Sequence, residues 1–243
     1  MSSVRIRGLA ALALGFLVVG TAPRAAAQCV GVTALGRVNS VSGNPFQAEV
    51  NTVFPQSLEP KATIVARDGQ GRVRVDQPMG RFKVTPPSGQ ETQVDRHSIE
   101  ICDPVSRQTI TLDTLNKTAV VQHWPPLKLQ RARPMSEVTR SFCEVELHMG
   151  ANLPNVEPVD LGHKTFAGVD THGVLERRTN SERQLWCSDE LEAMVLLVMD
   201  TDAKKEVFHF AMTNIQRGEP AAEMFAIPAD YKVVERANTK APE

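Results

Sequence analysis

Residues 185–199 read LWCSDELEAMVLLVM. They lead into EVFHFAMTNI at 206–215 and EPAAEMFAIPADYKVVE at 219–235. The first stretch breaks at Ser188-Asp189 between two apolar runs, the mark of two strands joined by a polar turn. In the second, Phe208, Phe210 and Met212 alternate with Val207, His209 and Ala211, the period of two of a strand. In the first, Met194, Leu196 and Val198 alternate with Val195, Leu197 and Met199, so that strand is apolar on both faces. The third stretch ends in an apolar clamp of Phe225, Ile227, Pro228 and Tyr231. A sheet edge closed by such a clamp is a structural feature and carries no catalytic chemistry.

The same grammar extends toward the N-terminus. Phe46, Ala48 and Val50 alternate with Gln47, Glu49 and Asn51 between Pro45 and Pro55, giving a half-buried strand. KATIVARDGQGRVRVD (61–76) is a hairpin turning at Asp68-Gly69-Gln70-Gly71. HSIEICD (97–103), RQTITLD (107–113) and TAVVQHW (118–124) continue a meander, and GHKTFAGVDTHGVLERRT (162–179) turns at Gly168. Pro78 to Gln93 reads as a loop, Pro125 to Ser136 as a basic linker, and SFCEVELHMG (141–150) as a strand. The fold class expected is mainly β: a single curved antiparallel sheet with few short helices.

The N-terminal residues carry the pattern of a secretory signal. Arg5 and Arg7 precede the apolar run Leu9–Gly20, and Ala25-Ala26-Ala27 is a small-residue cleavage site. The organisation expected is a signal peptide over 1–27, a polar leader over 28–44, the sheet domain over 45–236 and a flexible tail over 237–243. The location expected is periplasmic or secreted. Loss of three arginines with the signal moves the net charge from −1 to about −4. With no basic stripe, that balance argues against nucleic acid as a partner. In an oxidising compartment Cys29, Cys102, Cys143 and Cys187 read as disulfides. Their three possible pairings are not separated by spacing; Cys143 with Cys187 and Cys29 with Cys102 is the set carried forward.

No pattern in the chain demands a cofactor. It has no CxxC, no Walker or GxGxxG loop and no GxSxG elbow. His163, Asp170 and His172 are the best metal candidates, since Asp170 and His172 share one strand face. No HxH or HExxH spacing fixes them, and a surface hairpin explains them more simply. Arg72 and Arg74 share a strand face that would suit an anionic headgroup, against the simpler reading of a solvated face.

Two segments resemble a known superfamily. Leu185-Trp186, the polar turn and the apolar strand after it look like the corresponding turn of the periplasmic lipoprotein-carrier (Lol) half-barrels. The C-terminal stretch is similar to their closing motif, D-x-x-x-F-x-x-P-x-G-Y/F, with Phe225, Pro228 and Tyr231 in the matching places. Ala221 stands where the acid would be and Asp230 where the glycine would be. The resemblance implies an open half-barrel over 45–236 with a concave apolar face, in proteins that carry lipid-modified proteins or sense envelope stress. The function expected is that of an exported, non-enzymatic envelope protein. It would bind a hydrophobic ligand (a lipid or acyl chain) or a lipid-modified partner in that face, lined by Leu196, Val198, Phe208 and Phe210. The alternative is a structural or regulatory module of the envelope-stress-sensor type, which binds an envelope protein and no small ligand.

Overall fold

The computed structural model describes residues 43–53, 61–85, 89–124, 142–148, 155–201 and 205–236. The expected signal peptide, Cys29, the basic linker and the tail lie outside them, as does most of the leader. Twelve strands form one open sheet: β1 (Phe46–Val53), β2 (Lys61–Arg67), β3 (Val73–Val84), β4 (Thr92–Asp103), β5 (Gln108–Asp113), β6 (Thr118–His123), β7 (Glu157–Phe166), β8 (Val169–Arg178), β9 (Ser181–Ser188), β10 (Ala193–Thr201), β11 (Lys205–Arg217) and β12 (Lys232–Arg236). The spatial order is β12-β6-β5-β4-β3-β2-β1-β11-β10-β9-β8-β7. Two antiparallel meanders, β1 to β6 and β7 to β11, are joined where β1 pairs with β11. The fold is the expected open half-barrel, with one departure at its edge: β12 runs parallel to β6.

Register assigns the core to two sides. Phe46, Ala48 and Val50 of β1 share a side with Val65, Val73 and Val75 on one flank and with Phe210 and Met212 on the other. These side chains are buried in one cluster with Leu185, Cys187 and Leu197. On that side lies α1 (Phe142–His148), whose Cys143 and Leu147 are buried against the same cluster. The segment read as a strand is thus a helix. Cys143 and Leu147 are four residues apart, one helical turn, and Glu144 and Val145 between them are exposed. The Cys143–Cys187 bridge ties α1 to β9, with Cα atoms 5.5 Å apart. Cys102 is disulfide-bonded as well; Cys29, its expected partner, is outside the described residues.

The opposite side is covered by the C-terminal strap. After β11 the chain turns at Gly218 (φ +107°), forms a 3-10 turn over Ala222–Phe225 and crosses Ile99, Ile101, Ile110, Leu112, Ala119 and Val121 before reaching β6 as β12. Phe225 is 5% exposed, and Met224, Ile227 and Tyr231 pack beside it. Polar contacts pin the strap along its length. Gly69 N–H donates to Glu219 at 2.9 Å, Arg74 donates to the Met224 carbonyl at 2.8 Å, and Lys117 Nζ meets Asp230 at 2.6 Å. Arg72 sits over the Phe225 ring at 4.9 Å. Arg72 and Arg74, read from sequence as headgroup ligands, are therefore engaged with the protein's own C-terminus.

Pro78 to Gln93 is not a loop throughout. Both β3 and β4 extend into it, in register from Val73↔Cys102 to Val84↔Thr92. A bulge between Pro78 and Gly80 absorbs the proline, which has no N–H to give to a ladder.

The clamp makes a quantitative prediction. Phe225→Ala removes a buried ring and leaves a cavity under the strap, and should lower stability by about 3–5 kcal/mol. Urea unfolding of wild type and variant measures this directly; an unchanged midpoint would refute the anchoring role of Phe225.

Candidate functional site

The four residues expected to line a ligand face do not share one. Phe210 pairs with Leu197, and both are buried on the α1 side, at 3% and 1% exposure. Leu196 pairs with Ala211 and Val198 with His209, which by alternation puts Leu196 and Val198 on the opposite side, where both are half-buried. Phe208 is paired with Met199. A strand apolar on both faces has room for two stripes, and the pairing with β9 and β11 divides them. The α1-side stripe packs with Met212, Leu185 and Cys187 into the core.

Leu196 lies beside Trp186 on β9. The indole fits because its register partner is Gly173: a Cβ there would sit 2.5 Å from the Trp186 ring. Phe166 meets Trp186 edge-on at 5.1 Å. Trp186 is 6% exposed, yet its Nε1–H has no hydrogen-bond partner among the described residues. A buried donor without an acceptor is uncommon and marks this spot on the Leu196 side.

A cavity of about 390 Å³ lies at the far end of the other meander, lined by Met79, Arg96, Asp113, Asn116, Thr118 and Val120 among others. Its charged groups are paired: Arg96 with Asp113 at 3.0 Å. Asp113 also holds the β5–β6 turn, accepting from the backbone N–H groups of Leu115 (3.0 Å) and Asn116 (3.3 Å) and from the Asn116 amide (2.9 Å). Burial pushes the Asp113 carboxyl up. The hydrogen bonds from Asn116, Leu115 and Arg96 together outweigh it and hold the group below the usual carboxylate range. Nearby, Asp76 accepts from Arg74 at 2.8 Å and contacts His97 Nδ1 at 2.7 Å. These ion pairs secure a turn and the strap.

The β7–β8 hairpin brings the metal candidates together as a surface ladder. His163 and His172 are register partners with rings stacked 5.1 Å apart. Each also meets one carboxylate: His163 with Asp170 at 3.2 Å, His172 with Asp160 at 2.8 Å. Among the described residues no three such side chains converge on a metal-sized point.

Two buried ions escaped the sequence reading. Arg67 is fully buried, donates to the Asn44 carbonyl at 2.5 Å and lies over the Phe46 ring at 5.2 Å. Burial lowers its pKa to about 10, against the opposing pull of Glu192. Glu176 is fully buried and receives a two-pronged bond from Arg183 at 2.9 and 2.8 Å. In sequence, both look like ordinary polar positions on alternating strands; only the non-local packing buries them.

No protein-family model matches the sequence, and neither does any curated protein. Solved structures resemble it at low identity. An uncharacterised conserved protein of Thermus thermophilus is 14% identical, with a TM-score of 0.43 over 85% of this chain and 99% of that one. The Pseudomonas aeruginosa MucA/MucB complex gives 13% identity and a TM-score of 0.43 over 87% of this chain and 64% of that one. A LolA superfamily protein from Nitrosomonas europaea gives 11% identity and a TM-score of 0.25 over 83% and 97%.

The Asp113 environment predicts a pH dependence. A carboxyl held below its unfolded value stabilises the fold above about pH 4, and that contribution is lost as pH falls through the folded value. Melting temperatures between neutral and strongly acid pH should fall less steeply for Asp113→Asn than for the wild type. Parallel profiles would rule out this turn as an acid-labile element.

Proposed function

We propose that this chain is an exported, non-catalytic protein of the bacterial envelope, periplasmic or secreted, that binds a protein partner on its open sheet. The observation that carries this reading is the packing of the α1 side. Phe210, Leu197 and Met212, the apolar residues best suited to line a ligand chamber, are buried in the core beside the bridged helix. The cavity of about 390 Å³ lies elsewhere, and its Arg96 and Asp113 are engaged with each other. Export follows from the N-terminal sequence pattern. The acidic balance of the chain without its signal argues against nucleic acid. The ionisable groups around the cavity are engaged in structural ion pairs, which favours binding over catalysis.

A second reading keeps an acyl ligand. Leu196 and Val198 remain half-buried beside the Trp186 donor, which has no partner among the described residues. An acyl chain laid along them could place a carboxyl or ester oxygen on that N–H. Such binding would draw on removal of apolar area from water and would be insensitive to salt.

One experiment separates the two. Protein purified from an envelope fraction is examined by native mass spectrometry and titrated with a fluorescent fatty-acyl probe. Partner binding predicts a lipid-free mass and no saturable probe signal, with chemical cross-linking in the envelope yielding one discrete heterocomplex. Saturable, salt-independent binding that is lost in a folded Leu196→Glu variant would overturn it in favour of the acyl ligand.

A further inference from the structure

β3 and β4 are twelve residues each, but their outer neighbours are short. β2 pairs with β3 only along Val73–Asp76, and β5 pairs with β4 only along Ser98–Asp103. Beyond those points β3 and β4 pair with each other alone among the described residues, from Pro78↔His97 to Val84↔Thr92. Among the described residues this stretch is therefore a two-stranded ribbon. Isolated ribbons of this kind are marginal in water. This one is also amphipathic. Phe82, Val84, Val94 and Arg96 lie on one side, with Phe82 38% exposed, while the ion pairs Arg81–Asp95 (3.1 Å) and Lys83–Glu91 (3.2 Å) lie on the other.

Its two edges differ. The β3 edge is guarded by Pro78 and the bulge at Gly80, and the far edge of the whole sheet, β7, by Pro158 and the bulge before Gly162. The β4 edge from Thr92 to Arg96 has no proline, glycine or bulge. Which backbone groups it offers follows from His97. The His97 N–H donates to Thr114 Oγ1 at 2.8 Å, and its carbonyl accepts from the same hydroxyl at 3.3 Å, so the His97 backbone points toward the β5 side. By alternation the N–H and C=O groups of Gln93 and Asp95 point the same way, into the space beyond the end of β5. The cavity lined by Met79, Arg96, Asp113 and Asn116 opens in that region.

We propose that this edge pairs with the same edge of a second copy of the chain, antiparallel, about a two-fold axis at Val94. Two copies related by an axis perpendicular to the sheet keep their faces aligned only if the axis passes through a residue. An axis at Gln93 would set Glu91 opposite Asp95, an axis at Asp95 would oppose two aspartates, and one at Arg96 two arginines. Like charges directly opposite destabilise a pair. An axis at Thr92 would leave half the pairing beyond the start of β4. At Val94 no like charges meet. Gln93 and Asp95 face each other twice and exchange four backbone hydrogen bonds. Thr92 faces Arg96, Glu91 faces His97, and the two Val94 side chains meet at the close, non-hydrogen-bonded position. The two ribbons become one four-stranded unit in which Val94 and Phe82 of each copy share a side. The contact is small, so the dimer is weak and concentration-dependent.

The test is a site-specific cross-link on the full mature chain. Residues facing each other at a non-hydrogen-bonded antiparallel pair have Cα atoms about 4.5 Å apart, within the disulfide range of about 4.4–6.8 Å. Val94→Cys should oxidise to a covalent dimer on non-reducing gels, whereas Gln93→Cys and Asp95→Cys should not. Sedimentation velocity should show the wild type moving from monomer toward dimer with concentration. Val94→Asp should remain monomeric with an unchanged circular dichroism spectrum. A wild type monomeric at every concentration, or cross-linking as efficient through residue 93 or 95, overturns the proposal. Neither result bears on heterologous partner binding, which the envelope cross-linking reads separately.

Discussion

Everything in this fold hangs on the pairing of β1 with β11. It joins residues such as Asn51 and Thr213, whose side chains bond at 2.9 Å across a sequence separation of 162. Without it the chain is two local meanders, each a sheet with an open flank. Their strands form through short turns and low loop-closure cost, whereas this seam closes most of the chain. Burial repays that cost. Phe46, Ala48 and Val50 lie in one cluster with Val65 and Val75 from one meander and Phe210, Met212 and Leu197 from the other. Arg67 adds a polar pin, buried beside Phe46 and bonded to the Asn44 backbone. Removing its partners would strand a buried charge, which is far costlier than losing an exposed ion pair.

Once the seam is formed, each side of the sheet needs a cover, and the chain supplies two of different kinds. On one side a helix of seven residues sits against the core. A helix this short does not persist by propensity, and the Cys143–Cys187 bridge fixes its position covalently. On the other side the strap has no regular structure for most of its length. It relies on Phe225, Ile227 and Tyr231 for burial and on Arg74, Glu219 and Lys117 for direction. Charged residues that look solvated in sequence are thus the fasteners of a cover.

These covers bear on function. A half-barrel with a filled α1 side offers its environment edges, a two-stranded ribbon and the flank around Leu196, Val198 and Trp186. Strand edges and amphipathic ribbons recognise other polypeptides through backbone hydrogen bonds. That chemistry suits the partner binding proposed above.

The sequence by itself determined the strands and their turns, because period-two alternation and Gly-Asn-Asp punctuation are local signals. It determined the clamp for the same reason: Phe225, Pro228 and Tyr231 stand out from their neighbours without any knowledge of what they cover. Local signals misread two segments. Pro78 and Gly80 look like loop residues until a bulge accommodates them, and Cys143 and Leu147 show helical spacing too briefly to outweigh the β-rich context. The tertiary structure alone decided which face each apolar stripe took, since Leu196 and Leu197 are told apart only by their partners on β9 and β11. It also decided that Arg67 and Glu176 are buried, that Arg72 and Arg74 serve the strap, and that β12 joins β6 in parallel. Each of these depends on contacts between residues far apart in the chain, and no local pattern encodes the identity of a distant neighbour.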